Sequence, residues 1–227
     1  MSIESINKIK KLSLTEEIAG ELRQSILTGK LKPNTRLFEK ELAEQLGVSR
    51  GPLREALRLL EGEGIIMSST GRGSYVNSFS ERKVAELYSI RTILEQEAAR
   101  LAAKKANQEQ LAALEQILHS MFQAAEDGDL NNVIDLDVQF HQKIWEIADH
   151  TYLQQILNGL SAQIRSYVAL QTTLYEDLAA GISNHKDILD SLVIRDGEAA
   201  AKILRQHLED AALVVIQFAH DQEQKNK

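Results

Sequence analysis

The chain has 227 residues, a net charge of -7 and no cysteine, which excludes disulfides, thiolate zinc sites and cysteine nucleophiles. Its length suits one large or two modest domains, each able to bury an apolar core. No apolar run approaches the ~18 residues of a membrane span, and the first residues lack the apolar core of a secretion signal, so we expect a cytoplasmic protein.

The charge is unevenly shared. Residues 1–79 carry 12 Lys and Arg against 10 Asp and Glu, whereas residues 80–227 carry 14 against 23. Both prolines, Pro33 and Pro52, and eight of the twelve glycines lie in the first part. This shift places a boundary near Ser78–Ser80, between a mildly basic unit 1–79 and an acidic unit 80–227.

Met1–Ser13 reads as a loose, polar and basic arm. Leu14–Gly29 then repeats Ile18, Leu22 and Ile26 at steps of four, which predicts a helix with Thr15 as its cap and Gly29 as its stop. Lys30–Leu37 is a turn-rich connector. Glu39–Leu60 reads as two short helices around a tight turn. Leu42, Ala43 and Leu46 give the first an apolar face, and Leu53, Ala56, Leu57 and Leu60 give the second its own. Gly47 supplies the left-handed turn residue, Val48 plugs the corner, Ser49 caps the second helix and Pro52 sits in its first turn. Arg50, Arg54 and Arg58 follow at steps of four on the face away from the apolar stripe. Such a row suits a recognition helix in the major groove, although a solvated basic face has the same pattern. Gly64–Asn77 is two β-prone runs around a glycine-rich turn, a hairpin or wing with Arg72 at its tip. A helix-turn-helix followed directly by a hairpin is a winged helix, and it favours DNA binding over the plain hairpin.

From Ser80 the pattern is helical throughout. The predicted runs are Glu81–Lys105, Gln108–Glu126, Leu130–Ala148, Tyr152–Glu176, Ile182–Ile194 and Ala199–Ala219, an all-α bundle. Asp137 and His141 lie four apart on one helix face, His185 opens a late helix and His207 lies inside the last. Three imidazoles and a carboxylate can hold zinc, nickel, manganese or iron and leave positions for an oxygen-bearing ligand. Each residue by itself is also an ordinary core or surface residue, the reading kept for His119, His150 and His220, with Trp145 assigned to core packing. Arg91 and Arg165 interrupt apolar helical stretches and are candidates to pair an anionic ligand, unless a neighbour such as Glu95 takes them. Tyr167 and Asn184 are weaker candidates.

Several segments carry a resemblance to a known family: Leu31-Lys-Pro-Asn-Thr-Arg-Leu37, Leu46-Gly-Val-Ser-Arg-Gly-Pro-Leu-Arg-Glu-Ala-Leu57 and Gly71-Arg-Gly-Ser-Tyr-Val76. Over residues 12–77 the chain resembles the DNA-binding domain of GntR-family bacterial transcription regulators. The resemblance implies DNA contacts at Lys40, Arg50, Arg54 and Gly71, to which Ser49 and Arg72 are added as neighbours. Lys40 stands where the family commonly has Arg, and it binds as a point charge rather than a fork. Arg91-Thr-Ile-Leu-Glu95, Asp137-x-x-Phe-His141 and the two late histidines resemble the FCD ligand-binding domain of the FadR branch. That resemblance implies a metal at Asp137, His141, His185 and His207, with Asn184 in place of a frequent Glu. It also implies a small organic acid as effector, for which Arg91, Arg165 and Asn184 are the candidate contacts. The expectation is therefore a homodimeric, non-enzymatic regulator, a repressor by the family's commoner mode. It would bind a palindromic operator and sense an organic acid beside a divalent metal, zinc first. The rivals are an effector-free DNA-binding and oligomerisation protein and a metal-dependent hydrolase with a DNA-binding head.

Overall fold

Ser13 opens the first helix in the computed structural model, which describes residues 13–69, 73–175 and 177–225. The Ser13 hydroxyl accepts from the Glu16 backbone N–H at 3.2 Å, and the Glu16 carboxylate accepts from the Ser13 N–H at 2.6 Å. This capping box starts α1 (Leu14–Leu27). The cap is therefore Ser13 and not Thr15, which already lies inside the first helical turn.

The connector after α1 contributes a strand that its sequence did not announce. β1 (Arg36–Leu37) pairs antiparallel with β3 (Gly73–Val76), which pairs on its other side with β2 (Ile66–Ser69). A two-residue strand has no period to read. Between β1 and β2 come α2 (Glu39–Leu46) and α3 (Arg50–Gly62), joined through Gly47 at φ 65° and ψ 31°. Ser49 holds the N-cap position with extended backbone, but its side chain makes no capping hydrogen bond. Ile18, Leu22 and Ile26 of α1 meet Leu42, Leu53, Leu57 and Leu60 in one apolar cluster. Arg23 adds an ion pair from α1 to the buried Glu63 at 2.8 Å.

The remaining chain is helical. It runs through α4 (Glu81–Lys105), α5 (Gln108–Asp127), α6 (Leu130–Ala148), α7 (Thr151–Leu174), α8 (Leu178–Ile182), α9 (Asn184–Val193) and α10 (Gly197–Lys225). α4 and α10 pack along each other, and both bury small residues, Ala98, Ala99 and Ala102 in α4 and Ala200, Ala211 and Ala219 in α10. Small side chains let the two backbones approach, and at Gly197 a Cβ would lie only 3.2 Å from Arg100 Cα. A second cluster, from Phe79 to Ala219, fills this bundle around Phe140, Ile144, Trp145 and Leu208.

Two segments depart from the expected runs. The helix expected over Ile182–Ile194 begins at Asn184, because Asp177 caps a separate short helix, α8, that buries Ile182. α10 starts at Gly197 and continues to Lys225, well past the apolar period that suggested Ala219. Its extension is held by tertiary contact: the buried Gln222 amide donates to the Leu27 carbonyl at the end of α1, 3.2 Å away. Met1–Leu12, Thr70–Arg72 and Glu176 lie outside the described residues, and with them the N-terminal arm and the wing-tip candidates Gly71 and Arg72.

Candidate functional site

Asp137 and His141 stand one helical turn apart on the inner face of α6. α9 brings His185 beside them and α10 brings His207. All four are buried, and one ligand atom from each lies within 4.8 Å of the others. The ring centres of His185 and His207 are 4.5 Å apart, and those of His141 and His207 are 5.3 Å apart. Asp137, His141, His185 and His207 are thus brought together as the spacing suggested.

The hydrogen bonds around the cluster place one proton on each of two rings. His141 Nδ1 lies 2.6 Å from Glu95 Oε2, and His185 Nδ1 lies 3.0 Å from the Ile182 carbonyl. A carboxylate and a carbonyl only accept, so both Nδ1 atoms donate and a neutral ring bares its Nε2 lone pair. Both Nε2 atoms are buried with no hydrogen-bond partner among the described residues. His185 Nε2 lies 3.0 Å from Asp137 Oδ1, ion-pair distance when that nitrogen carries a proton, but without hydrogen-bond geometry. Burial, then His185 and His141, push His207 well below its ordinary imidazole value. Burial would raise the Asp137 carboxyl, but His185, then His141 and His207, hold it below the usual carboxylate range. Without protons these converging donor atoms would repel each other unless a cation lay among them, so the residues fit a divalent metal. Three nitrogens and one oxygen suit zinc, nickel, manganese or iron.

Around this set runs a second circle of polar groups. Glu95 joins His141 to Arg91, whose Nε donates to Glu95 Oε1 at 2.5 Å. Burial would raise Glu95, but Arg91 and then His141 bring it down to about 2. Arg91 therefore has the Glu95 partner weighed for it, yet its Nη2 is buried without a partner among the described residues. Its guanidinium carbon lies 5.7 Å from the Tyr88 ring centre, and the Tyr88 hydroxyl reaches Gln171 at 3.5 Å. Gln171 donates to the Tyr175 hydroxyl at 2.6 Å. The sequence suggests Glu95 as a partner for Arg91; its second contact, to His141, is set by the packing of α4 on α6. Asn184 is partly buried one residue before His185. Tyr167 stacks on Tyr88 with ring centres 6.2 Å apart.

Arg165 is not part of this circle. Its guanidinium pairs with Asp135 and donates to the Gly62 carbonyl at 3.3 Å, where the bundle meets α3. An apolar helical stretch signals a buried side, but not which neighbour covers it. His119, His150 and His220 are exposed, and Trp145 is fully buried in the core.

The second candidate surface is the outer face of α3. Arg50, Arg54 and Arg58 are exposed along it, and Lys40 and Ser49 are exposed beside it. Arg54 Nε donates to Glu39 Oε2 at 2.8 Å and Arg58 to Glu55 at 2.7 Å, whereas Arg50 has no ion pair among the described residues. Glu39, Arg54, Arg58, Ser68 and Ser74 line an open cleft of about 310 Å³ between α3 and the sheet. Arg36 on β1 lies 4.8 Å from the Phe38 ring centre and 5.9 Å from that of Tyr75, a basic position the sequence reading did not single out. No helix among the described residues is long and apolar enough to cross a membrane.

Comparison with known proteins agrees with this geometry. Residues 14–76 match the gntR family of bacterial regulatory proteins, and residues 86–210 match the FCD domain. The chain is 32% identical over 208 residues to the HTH-type transcriptional repressor RspR of Escherichia coli, covering 92% of this chain and 91% of that one. It is 30% identical over 207 residues to the gluconate operon transcriptional repressor of Bacillus subtilis, covering 89% and 85%. Among solved structures, Escherichia coli McbR/YncC aligns over 91% of this chain and 99% of its own, with a TM-score of 0.60 and 27% identity. A winged helix-turn-helix with an exposed arginine row, joined to an FCD bundle, makes the protein a DNA-binding transcription regulator, and the chain belongs to the GntR family in its FadR-like, FCD-bearing subfamily.

Proposed function

We propose that the protein is a cytoplasmic, homodimeric repressor whose operator affinity is set by a small organic acid bound beside a divalent metal. The unit 1–79 binds DNA and the unit 80–227 senses the acid and forms the dimer. Asp137, His141, His185 and His207 hold the metal, zinc first among the candidates. One observation carries the reading: two imidazole nitrogens without hydrogen-bond partners and a carboxylate converge in a buried site. Zinc can expand from four ligands to five and the other candidate metals take up to six, so a position remains where an acid oxygen can bind. Bound there, the metal supplies a fixed positive charge that favours an anion. The buried, unpartnered Nη2 of Arg91 is the donor best suited to the acid's carboxylate, with Asn184 beside His185 as a second contact. Arg165, engaged at the junction with α3, drops out of the effector set. The relative named for the gluconate operon makes a sugar acid a reasonable first ligand to try.

Two heads of a dimer bind a palindromic operator, with Lys40, Ser49, Arg50 and Arg54 on the major groove side and Gly71 and Arg72 at the wing tip. An acid changes operator affinity only by binding the DNA-competent and DNA-released arrangements differently. The protein itself performs no chemistry on the acid.

The test is elemental analysis of purified protein, followed by thermal-shift measurement with small carboxylic acids, with and without chelator. We expect near-stoichiometric metal and stabilisation by an acid only in the metal-loaded form. His207→Ala should abolish both while leaving the helical content intact. Wild-type protein that carries no metal and takes up none from added zinc would overturn the metal reading.

A further inference from the structure

The last carbonyls of a helix need partners from outside it. In α3 these belong to Leu59, Leu60, Glu61 and Gly62. The first three are met by backbone N–H groups directly after the helix: Glu63 donates to Leu59, Ile65 to Leu60 and Gly64 to Glu61. The fourth, Gly62, accepts from Arg165 Nη2 on α7 at 3.3 Å. The recognition helix is thus completed by a cation from the other unit, placed where the negative end of the helix dipole favours it.

The same corner is pressed against the bundle at three further points. Gly64 has φ 64°, and a Cβ on it would lie 2.9 Å from Ser166 Cα, so this position requires glycine for its conformation and for its close approach. Asn77, just after β3, donates both to the Gly64 carbonyl at 2.9 Å and to Ser166 Oγ at 3.1 Å. A Cβ on Gly62 would lie 3.2 Å from Asn131 Oδ1 near the start of α6.

Arg165 is in turn held by Asp135 of α6. Asp135 is exposed and Asp137 buried, two residues apart on one helix and so on nearly opposite faces. α6 therefore presents a cluster ligand inward and the Arg165 anchor outward. The pair is about half exposed, with side-chain exposures of 34% and 50%, and pairs of that kind add little to stability. The contact joins the cluster helix to the end of the recognition helix through one continuous chain of polar bonds, and its rearrangement leaves the rest of the fold intact.

We infer that Arg165 is a positioning residue that couples occupancy of the Asp137 and histidine cluster to the placement of the recognition helix, through Asp135 on one side and the Gly62 carbonyl on the other. This rests on the metal reading above. A movement of α6 on binding shifts Asp135, and Arg165 passes the shift to the end of α3 and the root of the wing.

The test is hydrogen exchange on full-length protein, chelator-stripped and then loaded with Zn²⁺, in wild type and in Arg165→Gln. Wild type should show slowed exchange in α6 and α9 and a several-fold change at the amides of Glu63, Gly64 and Ile65. Arg165→Gln should keep the first effect and lose the second. Asp135→Asn, which removes the anchor's charge at constant shape, should reproduce this and serves if Arg165→Gln folds poorly. A change that still reaches residues 63–65 in both variants overturns the coupling role. So does a wild type in which zinc protects α6 and α9 and nothing moves at 63–65. No response to zinc anywhere would overturn the metal reading, and the coupling with it.

Discussion

Glu95 is the residue on which the charge balance of the cluster turns. It accepts from His141 Nδ1 on one oxygen and from Arg91 Nε on the other, fully buried. Partners of this kind orient a ligating imidazole and raise its basicity. Glu95→Gln should therefore weaken zinc binding by about 10- to 100-fold without removing a ligand; competition with a chromophoric chelator measures it, and an unchanged affinity would remove Glu95 from the site. On the DNA side, Arg54 is held by Glu39 in the free protein and must leave or share that carboxylate to reach a base. Arg54→Ala should cost about 1–3 kcal/mol of specific operator affinity if the guanidinium forks onto a base. A loss that is equal on specific and random DNA would assign it to phosphate instead.

At the scale of the element, two local devices carry the head. The capping box at Ser13 satisfies an N–H at each end of the α1 entry, and Ser13→Ala should cost about 1 kcal/mol in chemical denaturation. Gly47 joins α2 to α3 with open space around its missing Cβ, so the cost of Gly47→Ala comes from its positive φ alone. That cost should also be about 1 kcal/mol. Equal stability for Gly47→Ala would mean that the turn relaxes to a negative φ, which would be visible as an altered angle between α2 and α3.

For the whole molecule, the buried His207 imidazole links stability to pH. His207 sits well below its ordinary value of 6.5 because burial, then His185 and His141, oppose its protonation. In the unfolded chain the same ring takes up a proton as the pH falls through 6.5. The unfolded state then binds more protons than the folded one, so stability is present above that pH and is lost below it. Chelator-stripped protein should melt at progressively lower temperature from pH 7 towards pH 5, and His207→Gln should flatten that slope. The opposite slope would mean that the cluster holds a proton in place of a metal. Protons also compete with the metal for the same nitrogens, so zinc affinity should fall over the same range.

Much of this protein is written in short-range pattern. The apolar periods of α1 to α7, the Gly47 turn, the hairpin and the step in composition near Ser78–Ser80 are local facts, and a helix or turn is mostly a local decision. Part of the cluster was legible too, because Asp137 and His141 share a helix face by spacing alone, whereas the fold brings His185 and His207 to them. What spacing could not supply was every relation between elements. β1 exists only because β3 lies beside it, and α10 runs past Ala219 because Gln222 reaches the end of α1. Arg91 and Arg165 read alike, as charges within apolar helices, yet packing sends one to Glu95 beside the histidines and the other to the end of the recognition helix. A side chain's period says which side of its helix it lies on; only the tertiary fold decides what stands opposite, and here that choice separates a residue beside the histidine cluster from one at the junction with the winged head.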